Sequence, residues 1–194
     1  MGLREQKKAA TRAEIRRQAL RLFQEHGYAA TTTERIALAA NVSPSTFFRY
    51  FPTKEATVMA EDVLPVVFQR FLAQSARTPV TSALRAAVRE VFEEMTGAER
   101  EADLARRRLL FSVPELRSAL VGQYAAEIDD LGAAVARRTG RSPTDVVVRT
   151  WAGACIGVLL SVSQAVAEDE SDRPPDFAAT LDEALGLLED GLPL

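Results

Sequence analysis

Residues 27–55 read GYAATTTERIALAANVSPSTFFRYFPTKE, and this stretch decides the fold. Gly27 follows an apolar stripe, Ile15, Ala19, Leu22 and Phe23, at the place where a residue of positive φ ends a helix at least cost. A first helix is therefore expected from about Thr11 to His26. Thr31-Thr32-Thr33 supplies N-caps for a second helix, barely two turns long, from Glu34 to Ala40. Asn41 is the non-glycine residue best suited to a left-handed turn position. Ser43 then caps, and Pro44 takes the first position of, a third short helix that runs through about Tyr50 and is stopped by Pro52. Thr53 caps a fourth, expected to run from Lys54 into the Arg70 region with a kink at Pro65. Two short helices joined by a tight turn and packed on a preceding helix make a helix-turn-helix. Ile36, Ala37, Ala40, Val42 and Phe47 can face Leu22 and Phe23, and Phe48 and Phe51 are also expected in the core. Ser45, Thr46, Arg49 and Tyr50 are left facing outward.

The whole chain has 194 residues, 47% of them hydrophobic and 26% charged, which argues for a globular protein and against disorder. One Cys allows no internal disulfide, and one His with one Cys excludes a zinc site built from those ligands. No metal and no cofactor is expected. Residues 1–10 are polar and basic with no apolar core, unlike a secretory signal, so cytoplasmic residence is expected. The net charge of −3 divides unevenly: residues 1–60 hold ten Lys/Arg against five Asp/Glu, leaving −8 for the rest. A basic head on an acidic body is a pattern of nucleic-acid-binding proteins, although a solvated helix face can also be basic.

Beyond residue 57 the apolar periodicity stays helical, so the chain reads as all-α: a three-helix head, residues 1–56, joined to a larger helical body, residues 57–194. Helices are expected from Thr81 to Met95, from Glu99 to Phe111, and from Val113-Pro114 to Gly140. Two more run from the Ser142-Pro143-Thr144-Asp145 cap to Glu168 and from Asp176 onward, the last with Phe177, Leu181, Leu185, Leu188 and Leu192 as its stripe. The Arg106-Arg107-Arg108 run reads as a solvated helix face or, alternatively, as a grip for an anionic ligand. Residues 168–175 read as an acidic, exposed loop. Trp151 to Ala167 is apolar but short for a membrane span, so no membrane partner is expected. Gly153, Gly157, Ser161 and Ala165, four residues apart, form a narrow stripe that suits close helix approach.

The ordered set Gly27-Tyr28-Ala29-Ala30-Thr31-Thr32, Ile36-Ala37, Ala40-Asn41-Val42-Ser43 and Phe48-Arg49-Tyr50-Phe51-Pro52-Thr53-Lys54-Glu55 closely resembles the DNA-binding domain of TetR-family regulators over residues 11–56. Asn41 stands where that family usually has glycine. Phe48 stands where it has tyrosine, which removes one phosphate-contacting hydroxyl. The resemblance implies a recognition helix near 44–50 in the major groove, with Ser45, Thr46 and Arg49 nearest base edges and Thr32, Ser43, Tyr50 and Lys54 holding phosphates. Ser43 and Thr53 serve as caps whether or not they touch DNA. Arg4, Lys7, Lys8 and Arg12 are expected to add a flexible basic arm with salt-sensitive affinity. The resemblance also implies a homodimer built on the last two helices, here through Gly153, Gly157, Ser161, Leu181, Leu185 and Leu188. Such a dimer suits quasi-palindromic double-stranded operator DNA. It further implies a small-molecule effector pocket among the middle helices, for which Phe92, Met95, Leu109, Phe111, Tyr124, Ile128, Trp151, Cys155 and Leu159 are candidates, each equally at home in an ordinary core.

The function these features favour is a sequence-specific transcriptional regulator, a homodimeric repressor released by an effector. The alternative is a DNA-binding regulator or activator that senses no small molecule. An enzyme is disfavoured, with no catalytic residues assigned. The lone His26 lies far in sequence from any carboxylate group of the body, and no nucleophile elbow or phosphate loop appears.

Overall fold

The protein is described here by a computed structural model covering residues 2–59, 63–171 and 174–192. It divides into two compact units, Met1–Ala60 and Glu61–Leu194. Every regular element among the described residues is an α-helix.

The first unit holds α1 (Leu3–His26), α2 (Thr33–Ala39), α3 (Pro44–Tyr50) and α4 (Glu55–Met59). Helix α1 begins at Leu3 rather than at Thr11, so the basic segment is helical and not a flexible arm. Residues 3–10 contain no glycine or proline, and Ala9 and Ala10 favour the helix. The helix closes at Gly27, φ +82°, whose N–H donates to the Phe23 carbonyl at 2.9 Å. At the end of α2, Asn41 adopts φ +53°. Its N–H donates to the Leu38 carbonyl at 3.0 Å, and the Val42 N–H donates to that of Ala37 at 2.9 Å. These two bonds form a Schellman closure that satisfies the last carbonyls and sets the turn angle. The Ser43 hydroxyl accepts from the Thr46 N–H at 3.1 Å, with Pro44 opening α3. Ile15, Ala19, Ile36, Ala37, Phe47, Phe51 and Val58 are buried and hold the helices together. Phe48 is not among them: at 49% exposure it lies edge-on to Phe47 at the surface.

The second unit is built from α5 (Val63–Ala73), α6 (Val80–Glu94), α7 (Gly97–Ser112), α8 (Pro114–Thr139), α9 (Val146–Glu168) and α10 (Phe177–Glu189). The expected kinked helix from Lys54 to Arg70 is described in two stretches, α4 and α5, and its course between them lies outside the described residues, at 60–62. Pro65 is the third residue of α5 as described. A capping box between Thr96 and Glu99 starts α7, and Gly140 in the left-handed conformation ends α8. The Ser142-Pro143 cap does not start α9. Asp145 does, accepting from the Val147 N–H at 2.9 Å, and residues 142–145 form a turn before it. Leu192 lies beyond the end of α10 with φ +53° and does not extend its stripe. In the 168–175 loop, Glu168, Glu170, Ser171 and Pro175 are exposed, while Asp172 and Arg173 lie outside the described residues.

Helix α9 packs on α7, α8 and α10 through Val148, Ala152, Cys155, Ile156, Val162 and Val166. Its 23 residues, with mean hydropathy 1.7 over the most apolar window, are long and apolar enough to cross a membrane, so length does not exclude a span. Burial of one face against the neighbouring helices of the unit gives that apolar character a second physical reason.

Candidate nucleic-acid interface and body cavity

Ser43, Ser45 and Arg49 are exposed on α3 and its cap, with Thr46 and Tyr50 half-buried beside them. The Ser43 hydroxyl lies 2.9 Å from that of Ser45 and 2.9 Å from that of Thr46, a small hydroxyl cluster at the start of the helix. The Arg49 guanidinium lies 5.4 Å from the Tyr50 ring centroid and leans toward that ring's face. Thr32 caps α2, accepting from the Arg35 N–H at 3.3 Å.

Lys54, expected at a phosphate, is placed differently, and Glu34 escapes the sequence reading. Lys54 is turned inward: its ammonium donates to the Tyr28 carbonyl at 2.9 Å and the Thr31 carbonyl at 3.3 Å, and sits 4.2 Å over the Tyr28 ring. Two of its three donors therefore hold the loop before α2, and the side chain is first of all a staple of the head. Glu34, in the first turn of α2, has its carboxyl held below the ordinary range by its own backbone N–H and by the Thr32 and Thr33 hydroxyls. An acid thus lies beside the position that a phosphate at Thr32 would take.

In the body, an internal cavity of about 40 Å³, room for about three waters, lies among α5, α6, α7, α8, α9 and α10. Of the candidate effector-pocket residues, Phe92, Phe111, Tyr124 and Leu159 line it. Met95, Ile128 and Trp151 pack elsewhere against the core, and Leu109 is half-buried outside the lining. The Trp151 indole N–H donates to the Thr81 hydroxyl at 3.0 Å, which turns the ring away from the cavity. Cys155 is core, and burial pushes its thiol up to about 12, which removes thiolate chemistry.

The Arg106–Arg108 run is not a solvated face. Arg106 and Arg107 are buried and line the cavity, and only Arg108 is exposed, donating to the Asp169 carbonyl at 3.1 Å. Buried cations require partners. Asp103 provides one for both, at 3.1 Å to Arg106 and 2.7 Å to Arg107. Burial pushes the Asp103 carboxyl up, but the Arg107 and Arg106 charges and hydrogen bonds prevail and hold it below the usual carboxylate range. Arg107 also donates to the Ser163 hydroxyl at 2.6 Å. Phe92, Arg107 and Phe177 line both this cavity and an outer groove of about 200 Å³ beside Arg100, Pro174 and Pro175, so they form the wall between the two.

Along the outward side of α9, Gly157, Ser161 and Ala165 are exposed and Gly153 is half-exposed. No heavy atom would meet a Cβ within 4 Å at Gly153 or Gly157. Leu181 and Leu185 do not share this surface. They are 4% and 2% exposed, in the core of their own unit, because the i, i+4 stripe of α10 is its inward face. Leu188 is half-buried, and Leu187, at 45%, is the leucine that α10 presents outward. Among the described residues no group of three or more His, Cys, Asp or Glu side chains is placed to hold a metal.

A Schellman-closed helix-turn-helix joined to a larger all-helical unit defines a class, that of bacterial DNA-binding regulators with a separate body. Residues 15–59 match the bacterial regulatory proteins of the tetR family, and residues 78–193 match the MftR C-terminal domain. The chain belongs to the TetR family of transcriptional regulators. It is 31% identical, over 87% of its own length and 82% of the relative's, to a Mycobacterium tuberculosis protein assigned as the mycofactocin biosynthesis transcriptional regulator MftR. It is 30% identical to the HTH-type transcriptional regulator TcmR of Streptomyces glaucescens, over 70% of this chain and 62% of that protein. Among solved structures it resembles FadR of Thermus thermophilus, a TetR-family transcriptional repressor in complex with lauroyl-CoA. The TM-score there is 0.61 at 25% identity, covering 94% of this chain and 95% of that one.

Proposed function

We propose that this protein is a homodimeric repressor that binds quasi-palindromic operator DNA through α3 and leaves it when a small molecule occupies the body. The observation that carries the reading is the α3 edge formed by exposed Ser45 and Arg49 with half-buried Thr46 between them, held by the Ser43 cap and the Asn41 turn. In the groove, Arg49 supplies the one guanidinium able to make a bidentate guanine contact, while Ser45 and Thr46 offer hydroxyls to base edges. Thr32, Ser43 and Tyr50 take phosphates, and Lys54 contributes its remaining donor.

The dimer forms on the open α9 stripe, Gly153, Gly157 and Ser161, continued on α10 by Leu187 and Leu188. Two recognition helices then reach half-sites about 34–36 Å apart. The effector enlarges the small cavity among α5–α10. By binding the enlarged state more tightly it biases the body away from the DNA-competent arrangement. That FadR of Thermus thermophilus holds lauroyl-CoA supports a ligand-binding body in this fold. A second reading, a regulator that senses no small molecule, is favoured by the cavity's present size of about 40 Å³.

Fluorescence anisotropy with duplexes from the neighbouring intergenic region tests the DNA-binding part. Salt-sensitive preference for one duplex over its scrambled version is expected, and equal binding to both sinks the reading. A thermal-shift screen then separates the effector-sensing reading from its alternative, since an effector must raise the melting temperature and lower operator affinity together.

A further inference from the structure

The first third of α1 carries its charge in an unusual place. In the later turns one face of α1 is core: Ile15, Ala19, Leu22 and Phe23 are all buried. Residues three and four positions apart share a helix face. N-terminal to Ile15 that face continues through Thr11 and Arg12, then Lys7 and Lys8, then Arg4. The face that packs in the second half of the helix is therefore cationic in the first half. The segment from Leu3 to Thr11 projects by about 12 Å at 1.5 Å per residue.

The two halves also differ in how their cations are neutralised. Arg17 pairs with Glu14 at 2.7 Å and Arg21 with Glu25 at 2.7 Å. Arg4, Lys7, Lys8 and Arg12 are exposed and make no ion pair among the described residues. Arg12 is placed by another contact, its guanidinium 4.8 Å over the Phe51 ring, and Phe51 is the residue that closes α3. The cationic face thus starts beside the C-terminal end of α3 and runs outward from it as a helical rod.

We infer that this rod is a second DNA-binding surface, which takes the sugar-phosphate backbone flanking the groove entered by α3 and reads no bases. Charge complementarity names the occupant. Four unneutralised cations on one rigid face, attached to the end of α3, match the regular negative charge of a duplex strand. The inference rests on the proposed DNA-binding function but makes a claim of its own: these residues set the salt dependence of binding and leave selectivity alone.

The test is anisotropy titration of the full chain on an intergenic duplex and its scrambled version between 50 and 200 mM KCl. Each phosphate contact contributes about 0.9 to the slope of log K against log salt, so the variant R4Q/K7Q/K8Q is expected to lower that slope by about 2–3. It should weaken both duplexes by the same factor, with unchanged far-UV circular dichroism. The variant R77Q/R117Q/R137Q removes the same charge from exposed positions of the other unit and should leave the slope in place. A slope within about 0.5 of the parent, or an equal drop in the control, overturns the inference. If the parent itself does not distinguish the two duplexes, the regulator reading fails, while the slope on scrambled DNA still decides whether the rod binds.

Discussion

The guanidinium of Arg107 lies 3.5 Å over the ring of Phe177, and this contact closes the wall between the inner cavity and the outer groove of the body. Phe177 opens α10 and is only half-buried, so it can leave this position without unpacking the core. Replacing it with alanine merges the two spaces. F177A is expected to bind the fluorescent probe 1-anilinonaphthalene-8-sulfonate several-fold more strongly in its native state. It should also lose about 1–3 kcal/mol of stability in urea, less than a fully buried phenylalanine. Parent-like probe binding in a folded F177A would show that the wall is made elsewhere.

Asp103 balances two buried guanidiniums, and its carboxyl titrates below the ordinary value of 3.8. A group whose folded pKa is depressed contributes stability above its unfolded pKa and loses it as pH falls through the folded value. The parent should therefore lose part of its stability below about pH 4, the unfolded aspartate value. D103N should be less stable by about 3–5 kcal/mol at pH 7, the cost of breaking a buried ion pair. Its deficit should shrink on acidification. Urea melts at pH 7 and pH 3.5 check this; a deficit that is constant with pH contradicts it.

What could be read in advance followed chain locality. Gly27, Asn41, Ser43 and Pro44 act on backbone within five residues, so their turns and caps were legible from residue type alone. Arg106 and Arg107 were not. Three consecutive arginines look solvated until Asp103, one turn earlier, and Ser163, on a helix more than 50 residues away, fold around them. Lys54 was legible as a cation near the groove, but its inward turn depends on the carbonyls of Tyr28 and Thr31, which only the closed loop brings together. The leucine stripe of α10 was legible as a stripe. Which side of it met the core depended on α6 and α9, so Leu181 and Leu185 were placed on the wrong surface.

Glu34 opposes the phosphates that the head is built to receive. Its carboxylate is exposed in the first turn of α2, where its own N–H and the Thr32 and Thr33 hydroxyls favour the charged form, and a negative charge there repels a phosphate at Thr32. E34Q keeps a hydrogen-bonding side chain and removes the charge. It should bind operator and scrambled duplex more tightly by the same few-fold factor at 50 mM salt, with the gain fading as salt screens the repulsion. Weaker binding in E34Q would mean instead that the carboxylate positions Thr32.

Arg138 of α8 donates to the carbonyls of Phe71, Gln74, Ser75 and Thr78, with its bonds to Gln74 and Thr78 both at 2.9 Å. These are the C-terminal carbonyls of α5 and of the turn that follows; those of Phe71 and Ser75 also accept from the Gln74 and Thr78 N–H groups, at 3.3 and 3.0 Å, but none has the full i+4 ladder of a helix interior. A planar fork of five N–H groups can serve several at once, whereas an ammonium on a flexible stem cannot hold the same set. R138K should therefore recover little of the roughly 2–4 kcal/mol expected to be lost in R138A. Thermal melts of both variants give the comparison, and near-parent stability of R138K would assign the effect to charge alone.

Gly157 separates the dimer from the monomer by the sign of one effect. It is an exposed glycine inside α9, at ordinary helical φ, and a Cβ there meets no heavy atom within 4 Å. In an isolated chain, G157E should stabilise the helix by several tenths of a kcal/mol, because glycine is among the poorest helix formers. In a dimer that brings two α9 helices into close contact, the same substitution places two carboxylates in a space lined by Gly153 and Ser161. Association then fails, and the stability it lends fails with it. Light scattering at micromolar concentration should show a dimer for the parent and a monomer for G157E, with a lower melting temperature for the variant. A variant that melts higher than its parent and scatters with the same mass would remove α9 from the interface.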